Sequence, residues 1–548
     1  MFRKPNLPVN FRHIAYDKEQ PSLHVERIAM ADTKTDHTDH RPISERVNNR
    51  SLRPNSETFR TFMTQGWQDE KMDISPLPSS TYTPARRAKL SAAFPGERLV
   101  IPAGHAKVRN NDCDYMFRPD TTFAYYTGLG EDYEDGAVLV LDPTDSGHDA
   151  ILFVHQRYDK NTPEFFRSAH YGEYWVGARP GVDEFATMTG LETRPIAKLT
   201  SFLAMNVTAE RGGTPLRIIK EADPALTRLV EGIREQGGFS DLSGNIAKDD
   251  ELHQFAAEQR MLKDKLEVQE ITNAIVATRH GFDNILRHLD SSIDQPRGER
   301  ILEGAFNSVA RVEANGLGYD TIIASGPDAP TLHWMRNTHS VHKGDLVLID
   351  AGAESTGLYS ADVTRTFPVN GKFSPVQLKV YNAVFEAQQA GFEAVKLGGT
   401  YSDIHHACMR SLAESLHEWG ILPVSVEEAL SPEGQQHRRW HACGVAHHLG
   451  LDVHDCAEAR FDKYQGGTFT PGMVFTIEPG LYFRQNDLLV PPEMRGIGVR
   501  IEDDVLVTEN GPVWLSKPYV PSTAHDVEEW IADQRQHSVA DTVPVSEK

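Results

Sequence analysis

The sequence predicts a two-domain chain, with an α/β domain followed by an α+β domain built on antiparallel sheet. Three observations carry this. A length of 548 residues exceeds what one core organises. Short apolar runs bounded by turn residues alternate with helical stretches up to about residue 250. From Asp250 to about Leu289 the period changes to apolar residues at three- and four-residue intervals. Beyond that stretch, strand-like runs predominate again.

The elements follow in order. Residues 1–80 are expected to be poorly ordered, because ADTKTDHTDHRPISERVNNRSLRPNSE offers few apolar positions to bury. Met30 lies in this stretch and provides an alternative start position. Order is expected from 81, with a helix at PARRAKLSAAF and a strand at RLVIPAG that ends in a glycine turn. The segment YMFRPDTTFAYYTGL and the strands DGAVLVLDP and AILFVHQ follow, giving a first domain over 81–256. The amphipathic stretch ELHQFAAEQRMLKDKLEVQEITNAIVATRHGFDNIL opens a second domain over 257–518. Within it GDLVLIDAG and ADVTRTFPV read as the two arms of a hairpin, and VQLKVYNAVFEAQQAGFEAV and SDIHHACMRSLAESL as helices. Three further strand-like runs lie near its end. Residues 519–548 read as a Pro-containing tail with a polar, frayed end. There is no repeat of fixed period.

Charge and composition exclude several classes. Lys and Arg number 56 against 78 Asp and Glu, a net charge of −22, which repels phosphate backbones and anionic membrane surfaces. Neither nucleic acid nor membrane is an expected partner. The longest apolar runs, such as Ala137–Leu141 and Leu346–Ile349, have strand length, well short of the roughly 18 residues of a membrane span. Cys113, Cys408, Cys443 and Cys456 are widely spaced, which suits a reducing compartment. The opening MFRKPNLPVNFRH lacks the apolar core of a secretory signal, so the cytoplasm is the expected location. G-x-S-x-G, P-loop, HExxH and spaced CxxC signatures are all absent, which argues against a serine hydrolase, an NTPase and a zincin.

What stands out is a set of acids at the ends or centres of apolar strands. Asp350 closes DLVLID, Asp362 lies in SADVTRTFPV, Glu478 closes MVFTIE and Glu502 sits inside GVRIEDDVLV. Burying a carboxylate is costly without a compensating cation. Any one of them reads equally well as a partner of Arg365 or Arg500. Four in one domain, with few Lys or Arg beside them, favour metal, since four carboxylates neutralise two divalent ions. WHACGVAHHLGLDVHD adds His441, His447, His448 and His454, and APTLHW adds His333. His447, His454 and His333 gain weight only because the acids accompany them. His405 and His406 lie in a helical stretch and read as structural.

Taken together, DLVLIDAG, ADVTRTFPV, HHLGLDVHD, FTIEPGLYF and GVRIEDD resemble the metal-binding segments of the pita-bread metallopeptidases, in the branch that contains aminopeptidase P and prolidase. That resemblance spans about residues 257–516. FRPDTTFAYYTGL is similar to the N-terminal domain of aminopeptidase P and extends it to about residue 84. The implied fold is a pita-bread catalytic domain behind a smaller creatinase/aminopeptidase P-like α/β domain. The resemblance also implies two divalent metal ions. Asp350 would hold one, His447 and Glu478 the other, and Asp362 and Glu502 would bridge both. Glu478 would shuttle the proton as a shared water attacks, His333 and His454 would face the substrate carbonyl, Arg500 would support the carboxylates and Tyr482 would line the site. A donor set of four carboxylates and one imidazole is hard, which suits Mn²⁺, as does the family.

The implied reaction is hydrolysis between an N-terminal residue and a following proline, with peptides of that kind as partners and a homo-oligomer as the assembly. The alternatives are prolidase, acting on Xaa-Pro dipeptides, and a non-catalytic binding protein. Two features depart from the family pattern. Asp350 and Asp362 are twelve positions apart, one more than usual, so the hairpin between them is longer. Cys443 stands where the family places a histidine. If residues 441–447 are extended, His441, Cys443, Val445 and His447 share a face, and His441 lies about 6–7 Å along the chain from Cys443, too far to substitute there. Cys443 reads equally as a thiol facing the substrate and as a small buried hydrophobe.

Overall fold

The structure is a computed structural model that describes residues 56–68, 72–110, 113–130, 135–210 and 212–538. Met30, most of the polar extension and the last ten residues lie outside the described residues.

The first domain is organised by a five-stranded sheet. Its spatial order is Glu192–Pro195, Gly147–Val154, Val138–Thr144, Arg98–Pro102 and Leu216–Ile218. The three central strands pair antiparallel, and each edge strand pairs parallel to its neighbour. Helices cover both faces, so strand residues on both sides are buried. Leu99, Ile101, Leu139 and Leu152 pack with Leu90, Phe94 and Phe123 on one side. Val100, Val140, Ile151 and Phe153 pack with Phe202 and Val230 on the other.

In the second domain the strands Ile322–Ser325, Leu346–Ala351 and Val363–Pro368 form one antiparallel sheet. Val474–Ile477, Asp503–Thr508 and Gly511–Trp514 form another, and Gly480–Tyr482 pairs with Gly498–Arg500. Helices Lys265–Ser292, Gly298–Glu313, Pro375–Ala394 and Tyr401–Glu418 pack around them over one large apolar core. The mixed α/β then α+β architecture expected from the sequence is therefore present.

Three stretches differ from the sequence reading. The amphipathic segment opening the second domain is two helices, Leu242–Arg260 and Lys265–Ser292, rather than one. Asp264 starts the second as an N-cap, with Glu267 completing a reciprocal capping box. Between the helices, Lys263 N–H donates to Gly472 O, which ties the break to the turn before the strand Val474–Ile477. Secondly, residues read as a C-terminal tail include the helix Ala524–Arg535. Val527, Trp530 and Ile531, at three- and four-residue spacing, are buried, with Trp530 against Phe282 and Phe367. Thirdly, part of the expected polar extension folds. Ser56 caps the short helix Glu57–Met63, and Phe59 and Trp67 pack edge-on against Phe166 and Phe165.

Buried charge also anchors the connector between the two long helices. Asp455 accepts from Arg260 Nε at 3.0 Å and from Lys263 Nζ at 2.8 Å, all three being buried. Burial alone would raise the Asp455 pKa, but Lys263 and Arg260 hold it below the ordinary carboxylate range. Its contribution to stability is therefore complete above that range and is lost only as pH falls through the lowered value. Asp455→Asn leaves two buried cations without their counter-charge, and we expect a loss of about 3–5 kcal/mol in denaturant unfolding. A variant as stable as the parent would show that the triad holds nothing together.

Candidate metal centre

The strand Leu346–Ala351 alternates. Val347, Ile349 and Ala351 enter the main core, whereas Leu348 belongs to a small cluster with Ile322, Ala324 and Tyr482 on the other side. Asp350 shares that second face by the two-residue period. In the register of the hairpin Asp350 lies opposite Thr364, which places Asp362 at the start of the return strand. Glu478 directly follows the strand Val474–Ile477, and residues 445–449 run alongside it. Glu478 N–H donates to Val445 O at 2.8 Å, Thr476 N–H to His447 O at 2.9 Å, and Leu449 N–H to Val474 O at 3.1 Å. This zipper sets His447 beside Glu478. Glu502 N–H donates to Thr364 O at 3.1 Å, bringing the fourth acid to the hairpin.

The side chains converge. His447 Nε2 is 3.2 Å from Asp362 Oδ2, 3.7 Å from Glu478 Oε1 and 3.9 Å from Glu502 Oε1. Asp362, His447 and Glu502 offer ligand atoms that all lie within 4.8 Å of one another. Arg500 donates through Nη2 to Asp350, through Nη1 to the Tyr482 hydroxyl at 3.1 Å and through Nε to Thr364 Oγ1 at 3.0 Å. Thr364 in turn donates to Glu502 Oε2 at 2.7 Å. Of the two arginines that offered an alternative partner, Arg500 alone serves the cluster. Arg365 pairs instead with Asp503 at 2.7 Å and donates to the carbonyls of Thr364, Glu502 and Val520.

Negative charge exceeds positive here. Burial pushes Glu478 up to about 7, with His447 and Arg500 opposing and Asp362 and Asp350 reinforcing the shift. Glu502 is raised well above its ordinary value by burial and then by Asp362, Glu478 and Asp350. Asp350 is raised by burial in spite of Arg500. For His447 burial works downward, but the bond to Asp362 prevails and carries it up to about 9. Without a metal ion the cluster thus holds protons that a cation would displace.

Tyr319 is the residue that sequence reasoning missed. Its hydroxyl lies 2.6 Å from both Asp350 Oδ1 and Asp362 Oδ1. A phenol has one proton, so it satisfies one of these oxygens and leaves the other needing a proton or a cation. The donor set and this shortfall both fit divalent metal. Nothing local in GLGYD marks the tyrosine, because the contact arises only when its segment folds against the hairpin.

His333 and His454 are exposed, and the His454 ring lies 4.4 Å from that of His447. Both imidazoles are therefore open to solvent. Tyr482 is buried beside Arg500. Residues 441–447 form no regular strand and bend at Cys443 and Val445, so the extended geometry expected for them is absent. Arg438 donates to the carbonyls of His441, Ala442 and Cys443, which folds the chain back. Cys443 Sγ then lies 3.7 Å from His441 Nε2. His441 is itself buried, with Nδ1 2.9 Å from Gly480 O. His405 lies on the helix Tyr401–Glu418, its Nε2 3.1 Å from Arg438 Nη1.

Comparison with known proteins decides the family. The model of metallopeptidase family M24 matches residues 269–509, and that of the aminopeptidase P N-terminal domain matches 83–213. Xaa-Pro aminopeptidase 1 of Streptomyces coelicolor is 44% identical over 494 residues, covering 90% of this chain and 95% of that protein. The chain belongs to the aminopeptidase P group of these metallopeptidases. It is accordingly a metal-dependent hydrolase with a pita-bread catalytic domain. The Xaa-Pro aminopeptidase of Escherichia coli is 30% identical over 80% of this chain and 94% of its own. A solved structure of aminopeptidase P from that organism superposes with a TM-score of 0.72 at 28% identity, covering 84% of this chain and 99% of the other. The aminopeptidase PepP of Pseudomonas aeruginosa gives a TM-score of 0.71 at 29% identity, with 84% and 100% coverage.

Two outcomes follow from the geometry. Tyr319→Phe removes a donor from two ligand carboxylates and should weaken metal affinity by about 10–100-fold, read by chelator competition. Unchanged affinity would make the phenol a bystander. Burial pushes the Cys443 thiol up to about 11. In metal-free protein its alkylation should therefore be slow at neutral pH and accelerate as pH approaches that value. A rate already at its plateau near pH 8 would contradict the buried-thiol environment.

Proposed function

We propose that the protein releases the N-terminal residue from peptides whose second residue is proline, using two divalent ions, with Mn²⁺ preferred. The observation that carries this is the grouping of Asp362, His447 and Glu502, with Glu478 beside His447 and Asp350 joined to Asp362 through Tyr319, in a chain that aligns along most of its length with Xaa-Pro aminopeptidases. Asp350, Asp362, His447, Glu478 and Glu502 are the residues that would hold the ions. When bound, such ions lower the pKa of a shared water and polarise the scissile carbonyl.

The chain's own groups do the rest. Glu478, only partly exposed at the cluster, is placed to take a proton and return it to the leaving nitrogen. That return matters, because the proline nitrogen carries no proton in the peptide. His333 and His454 donate to the oxygen on which charge develops. Arg500 fixes Asp350 and offsets part of the carboxylate charge. Tyr482 closes the wall beside it. Cys443 supplies a weaker donor than a histidine on the substrate side.

The first domain spans 81–256 and the catalytic domain 257–518, which accommodates both family matches. No helix among the described residues is long and apolar enough to cross a membrane. The scattered, unpaired cysteines support a cytoplasmic setting. A homo-oligomer rests on the family resemblance. Peptides longer than two residues are favoured over dipeptides by the match of the first domain to that of aminopeptidase P.

Chelation should abolish hydrolysis, with Mn²⁺ restoring it best. Xaa-Pro-Yaa should be cleaved far faster than Xaa-Ala-Yaa and than the Xaa-Pro dipeptide, measured as kcat/KM. Equal rates on proline and alanine would mean a general aminopeptidase, and a preference for the dipeptide would mean a prolidase.

A further inference from the structure

The first domain carries a cleft of about 600 Å³ that contributes nothing to the metal centre. It lies between the helix Thr83–Ala93 and the hairpin of Val138–Thr144 and Gly147–Val154. Arg87 lines it and is only 8% exposed. Of its donors one, Nη1, is used, reaching Tyr126 O at 2.7 Å.

No carboxylate of the described residues pairs with Arg87. Four other buried arginines of this domain behave differently. Arg86 pairs with Asp264, Arg98 with Asp142, Arg217 with Glu97 and Arg234 with Asp249. Burial without a counter-charge pushes Arg87 down to about 10. A guanidinium held this way costs free energy that a bound anion recovers.

The rest of the wall is built for a small organic molecule. Ser91, one helical turn beyond Arg87, faces the same cleft, and its hydroxyl lies 2.8 Å from His148 Nδ1. His148 Nε2 lies 2.7 Å from Glu97 O, and a carbonyl only accepts. Nε2 therefore carries the proton, and in the neutral ring Nδ1 takes the Ser91 proton. Pro84, Ala88 and Leu141 supply apolar surface, and Asp145 stands on the hairpin turn at the edge. One buried cation balances one negative charge. A dianion would leave an excess beside Asp145 in a chain of net charge −22.

We infer that this cleft binds a small organic monocarboxylate, with the carboxylate on the free donors of Arg87 and the hydrocarbon part against Pro84, Ala88 and Leu141.

The test uses the full-length, metal-loaded protein and saturation-transfer NMR with butyrate as probe. 1-Butanol and inorganic phosphate serve as the uncharged and dianionic arms. Arg87→Met removes the charge. Ala88→Trp fills the cleft from an exposed helix position, so it leaves the buried side of the domain intact. Butyrate should bind the parent and lose at least about tenfold in affinity in both variants, with peptide hydrolysis unchanged. Neither 1-butanol nor equimolar phosphate should displace it. Equal butyrate binding in parent and variants would place the carboxylate at the metal centre or reveal adventitious contact only, and would overturn the inference. So would no detectable binding, or displacement by phosphate.

Discussion

Mutual repulsion among four buried carboxylates governs this structure. Asp350, Asp362, Glu478 and Glu502 come from three separate stretches of chain and meet where, among the described residues, Arg500 and His447 bring the positive charge. Such an arrangement opposes folding unless cations join it. Much of the surrounding architecture holds the acids in place against that repulsion. The hairpin register positions Asp350 and Asp362, the zipper between residues 445–449 and 474–478 positions His447 and Glu478, and the Thr364 hydroxyl fixes Glu502. Arg365, with Asp503 and the carbonyls of Thr364, Glu502, Val520 and Pro521, ties the same strands together from behind.

The first domain is fastened to those same ligand-bearing loops. Arg118 and Thr121, both within FRPDTTFAYYTGL, reach Glu354 at 2.8 Å and Asp452 at 2.7 Å respectively. Glu354 lies in the hairpin between Asp350 and Asp362, and Asp452 between His447 and His454. The hairpin itself reaches the first domain. Leu358, at φ +68°, and Tyr359 are buried in the apolar cluster of the first domain. Asp455, directly after His454, adds the ionic contact to the connector between the long helices. The segment carrying His447 and His454 and the docking of the first domain therefore share one framework, and a disturbance at the joint reaches the carboxylate cluster through a few residues of backbone.

Much of the centre was legible in the sequence, for a physical reason. Acids at the ends of apolar strands break a strict pattern, so Asp350 and Glu478 stand out without any knowledge of the fold. Tyr319 was not legible, since an aromatic residue in a Gly-containing turn is unremarkable until folding sets it across two carboxylates. His441 and Cys443 were misjudged because their approach depends on Arg438, whose three carbonyl contacts bend a segment that reads as extended. The helix Ala524–Arg535 was masked by the polar residues on its outer face, and the helix break before Asp264 by apolar spacing that continues through it. Both are set by partners distant in sequence, Phe282 and Phe367 for the first and Gly472 for the second.

The central claim is that the buried carboxylate cluster is a site for two divalent ions. Metal content per chain after dialysis against Mn²⁺, measured by plasma mass spectrometry on the full-length protein, tests it most directly. We expect two ions per chain in the parent and a clear deficit in Glu502→Ala, which lacks a bridging ligand. A parent that retains no ion, or a Glu502→Ala variant that retains both, would contradict the account.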